Sequence, residues 1–420
     1  MATIVLVHCM EFNVGVKNKF DWFVAPLGIG YVASYARRQG FDVDMLDLRI
    51  VEGWEEFRRI LTDRSPHIIG LSAMTPDADI MHQAAALVKS TLPSAVVVAG
   101  GAHATVCTEE VMKDDHIDFV VRGEGEETFV ELCKALRHDR DVSLIPGIVW
   151  RNGHDVRVNA PRLPLADLDS LPFPARDILG AATAFTDTYQ LFFPMRYPYA
   201  NIVASRGCYG QCSMCQPTLD LIFGKGVRHR SAANVIAEIE HLRKEYRIQS
   251  VIFWDDTFTI DPVWLRSFCE MLSLKKLSLS WWCYARANSL QADMIRVMRK
   301  SGCAMICFGV ESGSQRILTD VLHKGTTVVQ NRAVIAACKN AGVLVNANVM
   351  FGSPTESYEE MCATDAFLEE AQPDIVWAAI TSPLPGTRLG DDARRKGIIL
   401  AQQWSDYARA QVGHAKLKTE

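Results

Sequence analysis

Cys208-Tyr209-Gly210-Gln211-Cys212-Ser213-Met214-Cys215, entered from Asn201-Ile202-Val203-Ala204-Ser205-Arg206-Gly207, is the stretch that organises this chain. The apolar run reads as a buried strand, and Gly207 and Gly210 let the loop after it fold tightly back. Three thiols therefore converge at the carboxyl end of a strand. Thiolates spaced C-x3-C-x2-C can hold three irons of a four-iron four-sulfur cluster and leave the fourth iron without a protein ligand, open to a substrate. A disulfide framework fits poorly, because the 12 cysteines are scattered through 420 residues without a secretory signal. A structural zinc site wants a fourth Cys or His at motif spacing, and none follows closely.

Downstream of the cysteines, strands are expected at residues 201–205, 250–254, 280–283, 305–309, 343–350 and 375–380, with helices between them. Six strand-helix units predict a partial parallel barrel with its chemistry at the carboxyl-terminal mouth. Asp255-Asp256-Thr257-Phe258 closes the second strand, where paired carboxylates accept hydrogen bonds from an ammonium group; an N-cap role is the duller use of one of them. Arg286 and Asn288 end the third strand and offer partners for a carboxylate and a ribose. Glu311 ends the fourth, suited to a ribose diol, and Asn346 and Asn348 lie on the fifth, before Gly352 and Pro354. Singly each is weak; their placement after successive strands is the argument.

Upstream, the pattern alternates as well: strands at 3–8, 43–46, 67–71, 95–99 and 118–121, and helices ending near Arg38, over 78–90, near 109–113 and over 126–137. That predicts an open parallel sheet covered on both faces, which binds ligands at the carboxyl ends of its strands. Those ends carry Ser72, Thr75 and Pro76, then Gly100, Gly101 and His103, then Gly123, Glu124, Gly125 and Glu126. Glycines there let backbone approach a large flat ligand, although Gly100-Gly101 read alone is a turn. No G-x-G-x-x-G follows the first strand, which disfavours a dinucleotide. A strand at 145–150, a turn through His154 and a polar strand then give way to a stretch punctuated by Pro161, Pro164, Pro172 and Pro174, a linker. The apolar patch Phe192-Phe193-Pro194-Met195-Arg196-Tyr197 suits packing between domains or a substrate entrance.

The expected layout is a sheet domain over 1–140, a linker over 141–195, a barrel over 196–390 and a short helix and tail over 391–420. A net charge of -5 gives no electrostatic case for nucleic acid, and apolar runs such as 95–99 are too short to span a membrane. The start, Met1 to Val7, reads as a first strand, and the free cysteines suit a reducing, cytoplasmic setting.

Trp254-Asp255-Asp256-Thr257-Phe258, Ala285-Arg286-Ala287-Asn288, Gly309-Val310-Glu311-Ser312-Gly313-Ser314-Gln315, His323-Lys324-Gly325-Thr326 and Pro383-Leu384-Pro385-Gly386-Thr387, with the cysteine triad, resemble the core of the radical S-adenosylmethionine (SAM) superfamily. Pro26-Leu27-Gly28, Gly70-Leu71-Ser72, Gly100-Gly101-Ala102-His103 and Gly123-Glu124-Gly125-Glu126 resemble the cobalamin-binding domain that precedes many such cores. The resemblance implies an α/β chain with a doubly wound Rossmann-like cobalamin domain ahead of a partial (β/α)6 barrel. Its cofactors would be a 4Fe-4S cluster on Cys208, Cys212 and Cys215, SAM and cobalamin. It places Met214, Asp255, Asp256, Thr257, Arg286, Asn288, Glu311 and Asn348 by SAM. Pro26, Leu27, Gly28, Ser72, Thr75, Pro76, Gly100, Gly101, His103 and Gly123 to Glu126 would lie by cobalamin. The Asp-x-His-x-x-Gly motif of another cobalamin class is absent, so no histidine ligand is expected from the first loop; positions 74–77 are candidates to lie beneath cobalt.

Two departures from the radical SAM pattern stand out: Met214 where an aromatic usually sits, and Gly352-Ser353-Pro354-Thr355-Glu356-Ser357 for the usual Gly-x-Pro-Gly-Glu-Thr. The implied activity is methyl transfer to an unactivated carbon of a small molecule through a 5'-deoxyadenosyl radical and methylcobalamin, fed by an external one-electron reductant such as a flavodoxin or ferredoxin. Two other readings stand beside it: an anaerobic oxidative cyclase of the magnesium-protoporphyrin ester type, and a cobalamin sensor or carrier whose radical domain is inert.

Overall fold

The computed structural model describes residues 3–11, 25–153, 155–179, 195–407 and 417. They divide into two compact units, the first holding the described residues before 180 together with Leu221–Gly224 and Gln403–Asp406, the second holding the rest. Of the expectations above, His154, Phe192 to Pro194 and most of the tail beyond Tyr407 lie outside the described residues.

The first unit is built on β1 (Thr3–His8), β2 (Asp42–Asp47), β3 (Ile68–Ser72), β4 (Val96–Gly100), β5 (Phe119–Val121), β6 (Ile148–Asn152) and β7 (Asp155–Val158). They lie in the order β2-β1-β3-β4-β5-β6-β7. β1 to β5 are parallel, as their apolar runs and intervening helices predict; β6 pairs antiparallel with β5, and β7 antiparallel with β6 across the expected turn. For β6 and β7 the reason is length: residues 153 and 154 alone separate them, and a parallel crossover needs a dozen or more. Gly153, with φ of 62°, makes the turn. Helix Ala78–Thr91 buries Met81, Ala84, Ala85 and Val88, the i, i+3, i+4, i+7 stripe of an amphipathic helix. Its stripe meets Val5, Val7, Ile69, Leu71, Val97 and Ala99 from the sheet. A helix at Trp54–Arg64 was not expected, because charged residues fill most of WEEFRRILTDR and only Phe57 and Leu61 are buried.

The second unit contains β8 (Tyr199–Ile202), β9 (Ser205–Arg206), β10 (Arg228–His229), β11 (Ser250–Phe253), β12 (Ser280–Ala285), β13 (Cys303–Glu311), β14 (Leu344–Phe351) and β15 (Ile375–Ile380). Six of them form one parallel sheet in the order β15-β14-β13-β12-β11-β8, while β9 and β10 pair as a small antiparallel ribbon. The first strand of the expected barrel therefore ends at Ile202 rather than Ser205. The Ala204 amide is taken by the Asp255 carboxylate at 3.1 Å instead of a ladder partner. Helix starts follow the capping residues: Ser231 accepts from the Asn234 amide, Asp261 from those of Val263 and Trp264 with Pro262 in the first turn, and Thr327 and Ser357 close capping boxes with Gln330 and Glu360. Under helix Pro262–Lys275 the rings of Phe253, Phe258, Phe268 and Trp281 pack with centroids 4.2–5.8 Å apart. Truncating any one of them would cost about 3–5 kcal/mol. No helix among the described residues is long and apolar enough to cross a membrane.

Candidate cluster and cofactor sites

The cysteine loop leaves β9 through Gly207, whose φ of 90° suits glycine. All three thiols are free; Cys208 and Cys212 are buried and Cys215 is half-buried. Each of the two buried sulfurs has a donor. The Gly210 amide donates to Cys208 Sγ at 3.3 Å, and Arg286 Nη1 donates to Cys212 Sγ at 3.2 Å. The second arm of the same guanidinium bonds the Lys324 carbonyl, and its plane lies over Tyr209. A Cβ on Gly210 would stand 2.8 Å from Arg286 Nη1 and 3.3 Å from Cys208 Sγ, so a larger residue here would displace the guanidinium. Burial pushes the Cys215 thiol up to about 12, with Cys212 beside it adding to the effect. Thiolates at this place need a cation to offset them, and three sulfurs, two of them held by an N–H and a guanidinium donor, fit an iron-sulfur cluster with one open iron.

Around that loop the carboxyl ends of the strands deliver the expected side chains, with the duties divided differently. Asp255 is turned inward and clamps the chain entering the cysteine loop, accepting from Ser205 Oγ at 2.6 Å and from the Ala204 amide. Burial raises it to about 7, against the pull of those hydrogen bonds. Asp256 opens to solvent at its tip while lying in a recess that pushes it up to about 6, and its carboxylate has no partner among the described residues. Thr257 Oγ1 is 3.8 Å from Cys208 Sγ. Asn288 is engaged at both ends, donating to the Gly325 carbonyl at 2.9 Å and accepting from Tyr209 at 3.4 Å. Met214 packs against the apolar cluster of Ile317, Leu322, Leu389 and Ala393.

Glu311, with φ of 63°, ends β13 and bonds Lys324 Nζ through Oε1 at 2.6 Å. The pair is buried, and a Cβ on Gly309 would collide with both of its charged atoms. Burial lowers the Lys324 pKa, but the charges of Glu311 and Cys212 outweigh it and hold the ammonium above its ordinary value. Lys324 was not assigned a role from sequence; its signal was its place inside His323-Lys324-Gly325-Thr326. Several buried polar atoms at this edge lack a partner, among them Arg286 Nε, Thr326 Oγ1, Asn346 Oδ1 and Asn348 Oδ1. Buried polar groups are almost always satisfied, so this edge fits a polar ligand such as SAM. In the loop after β14, Thr355 occupies the left-handed region with φ of 63° where the family pattern has glycine, so the turn is kept without it.

In the first unit the ends of β3, β4 and β5 are neighbours, which brings Ser72 and Thr75 beside Gly100 and Gly101. Gly101 has φ of 86°, and a Cβ there would stand 2.7 Å from Ser72 Oγ, so it is needed by the fold as well as by any ligand. Gly28 faces open space, with Pro26 and Leu27 opening the helix Leu27–Arg38. The Gly123 amide donates to Thr105 Oγ1 at 3.0 Å, Glu124 accepts from the Leu165 amide at 2.8 Å, and Gly125 and Glu126 begin the helix Gly125–Arg137. Pro76 lies in the turn Thr75–Asp77, after Met74, which is more than half exposed. Open glycine backbone, an exposed thioether and short hydroxyls on one sheet edge fit a large planar ligand such as cobalamin. His103 differs: its ring is fully enclosed, edge-on to Trp404 at a centroid distance of 4.8 Å. Sequence reading also missed the buried Asp47–Arg49 pair, 2.9 Å from Nε to Oδ1, at the end of β2 beside His8, whose pKa burial lowers to about 4.

The two sites belong to two families whose patterns the chain matches, the B12-binding domain over residues 14–133 and the radical SAM superfamily over 202–368. The chain is 31% identical over 389 residues to an uncharacterised methyltransferase of Pyrococcus horikoshii, covering 91% of this chain and 81% of that one. It is 28% identical over 447 aligned positions to the anaerobic magnesium-protoporphyrin IX monomethyl ester cyclase of Rubrivivax gelatinosus, covering 99% and 78%. Its fold superposes on the radical SAM methyltransferase TsrM of Kitasatospora setae, solved with cobalamin and a [4Fe-4S] cluster, with a TM-score of 0.76 at 17% identity over 99% of this chain and 83% of that one. The chain is therefore a radical SAM enzyme of the kind that carries a B12-binding domain. The cofactors of that family are the four-iron four-sulfur cluster, SAM and cobalamin.

Proposed function

We propose that this enzyme transfers a methyl group from SAM to an unactivated carbon of a small molecule. The observation that carries the reading is that the relative at 31% identity, named a methyltransferase, aligns across both units. When bound, the cluster supplies the electron that cleaves SAM and cobalamin supplies a methyl carrier. The chain's own part is positional. Cys208, Cys212 and Cys215 hold the cluster, and Arg286 steadies Cys212 while donating to it. Asp256, whose carboxylate has no partner among the described residues, takes the methionyl ammonium, and Asn348 with Arg286 Nε offers the remaining polar contacts to SAM. Asp255 and the Glu311–Lys324 pair shape that edge from beneath. Ser72, Thr75, Gly100 and Gly101 line the cleft at the sheet edge offered to the nucleotide tail of cobalamin. An external flavodoxin or ferredoxin feeds the electron, in the cytoplasm.

The second reading, anaerobic cyclisation or oxidation, is favoured by the cyclase relative that aligns with 99% of the chain. Products separate the readings. Methyl transfer from SAM leaves S-adenosylhomocysteine, and hydrogen abstraction leaves 5'-deoxyadenosine. With reductant and a substrate panel under anaerobic conditions, a methyltransferase yields both as product gains a methyl group. A cyclase yields 5'-deoxyadenosine with a product that has gained none. An inert carrier yields neither, and that result would overturn the enzyme reading.

A further inference from the structure

Away from the cysteine loop, three side chains of the first unit point at one small volume. His82 comes from helix Ala78–Thr91, His103 from the turn of helix after β4 and Glu110 from the short helix Thr108–Val111. His103 Nε2 lies 3.4 Å and His82 Nε2 3.8 Å from Glu110 Oε2, and all three atoms fall within 4.8 Å of one another. Each of the three atoms is buried and, among the described residues, none has a hydrogen bond of ordinary geometry; protonated rings would make the two contacts to Glu110 ion pairs. Such a cluster is satisfied by protons on the two rings or by a cation held between the three atoms. The outer nitrogens, by contrast, are held: His82 Nδ1 lies 2.7 Å from Asp114 Oδ2, and His103 Nδ1 lies 3.5 Å from Thr75 Oγ1.

We propose that His82, His103 and Glu110 bind a divalent zinc ion. Two imidazoles and a carboxylate are a zinc donor set, completed by a fourth ligand such as water. A tetrahedral ion with ligands at about 2.0–2.1 Å holds the ligand atoms about 3.3–3.4 Å apart. The contact between His103 and Glu110 already has that spacing, the contact between His82 and Glu110 needs to close by a few tenths of an ångström, and the two imidazole nitrogens, within 4.8 Å of each other, need to draw together as the ion binds. Asp114 behind His82 is the carboxylate that orients a metal-binding histidine. Trp404, edge-on to His103, covers the ring. The ion ties together the helices that follow β3 and β4, the same two strand ends that carry Thr75 and Gly101, and so stiffens the sheet edge assigned to cobalamin. His103 thereby serves the ion rather than the corrin. The site is independent of the methyltransferase reading, since its probe is zinc alone.

The test uses the full chain with Cys208, Cys212 and Cys215 each replaced by Ala, so that the cluster thiols take no zinc. Zinc is titrated against a chromophoric chelator without cobalamin, and thermal unfolding is followed with and without the ion. The expected result is one zinc per chain at sub-micromolar affinity and a raised unfolding midpoint. Glu110→Gln and His82→Ala should each weaken binding by at least about tenfold, and Asp114→Asn, acting by positioning, by about 10-fold. Glu110→Gln is nearly isosteric, and circular dichroism of the zinc-free variant checks that it folds, so that lost affinity is read on a folded chain. Absence of stoichiometric zinc, or affinity unchanged in a folded Glu110→Gln variant, overturns the proposal.

Discussion

Glu311→Gln removes the negative charge that holds Lys324 at the mouth of the second unit. The ammonium and carboxylate are 2.6 Å apart, with 8% and 10% of their side-chain surface exposed. Little water is therefore available to replace a lost partner. Breaking such a pair from one side leaves a buried charge uncompensated and costs about 3–5 kcal/mol, a large share of the ~5–15 kcal/mol that stabilises a domain. Removing both charges is different. In Glu311→Gln with Lys324→Met the desolvation penalty goes with the ammonium, and stability should return to within about 1–2 kcal/mol of the parent. Urea unfolding of the cluster-free chain, followed by fluorescence of Trp281, Trp282 and the other tryptophans of that unit, measures this. The reasoning is refuted if Glu311→Gln shifts stability by less than about 1 kcal/mol, or if the double variant is no more stable than the single.

Other consequences follow from particular contacts. A Cβ on Gly313 would lie 2.7 Å from Ala363 C and Thr364 Cα, backbone atoms that cannot swing away, so Gly313→Ala should destabilise the second unit by about 1–3 kcal/mol in the same assay. Thr355 holds φ of 63°, a conformation costing a side-chain-bearing residue about 1–2 kcal/mol. Thr355→Gly should therefore stabilise by ~0.5–1 kcal/mol after glycine's extra entropy loss, and a lower midpoint would contradict it. Burial raises Asp255 from 3.8 to about 7 in the folded chain. The folded state thus binds the proton more tightly, and this contribution to stability is fully present below the unfolded value and is lost as pH rises through about 7. Asp255→Asn should flatten the stability profile between those limits, by up to a few kcal/mol, and parallel profiles would rule the effect out.

Much of the fold was legible because apolar strands and capped helices alternate along the chain, and β1 to β5 and the six-stranded sheet fall close to the expected places. What escaped has physical reasons. Helix Trp54–Arg64 hides two buried residues among charges. At the site, residue type and strand end were readable, whereas direction was not. Asp255 and Asp256 are adjacent in sequence, yet one clamps the chain beneath and the other faces outward. Lys324 follows the short helix Ile317–Val321 rather than a strand, so strand periodicity could not place it. His82 and Glu110 are 28 residues apart and meet because neighbouring helices cover the ends of β3 and β4.

The central claim is that one chain joins a three-cysteine iron-sulfur site to a cobalamin site. Anaerobic reconstitution with iron, sulfide and hydroxocobalamin, followed by iron and cobalt analysis, tests it most directly. The account predicts about four irons and about one cobalt per chain, with iron lost and cobalt kept when Cys208, Cys212 and Cys215 are replaced by Ala. Iron retained without those thiols, or no cobalt bound by the intact chain, would contradict it.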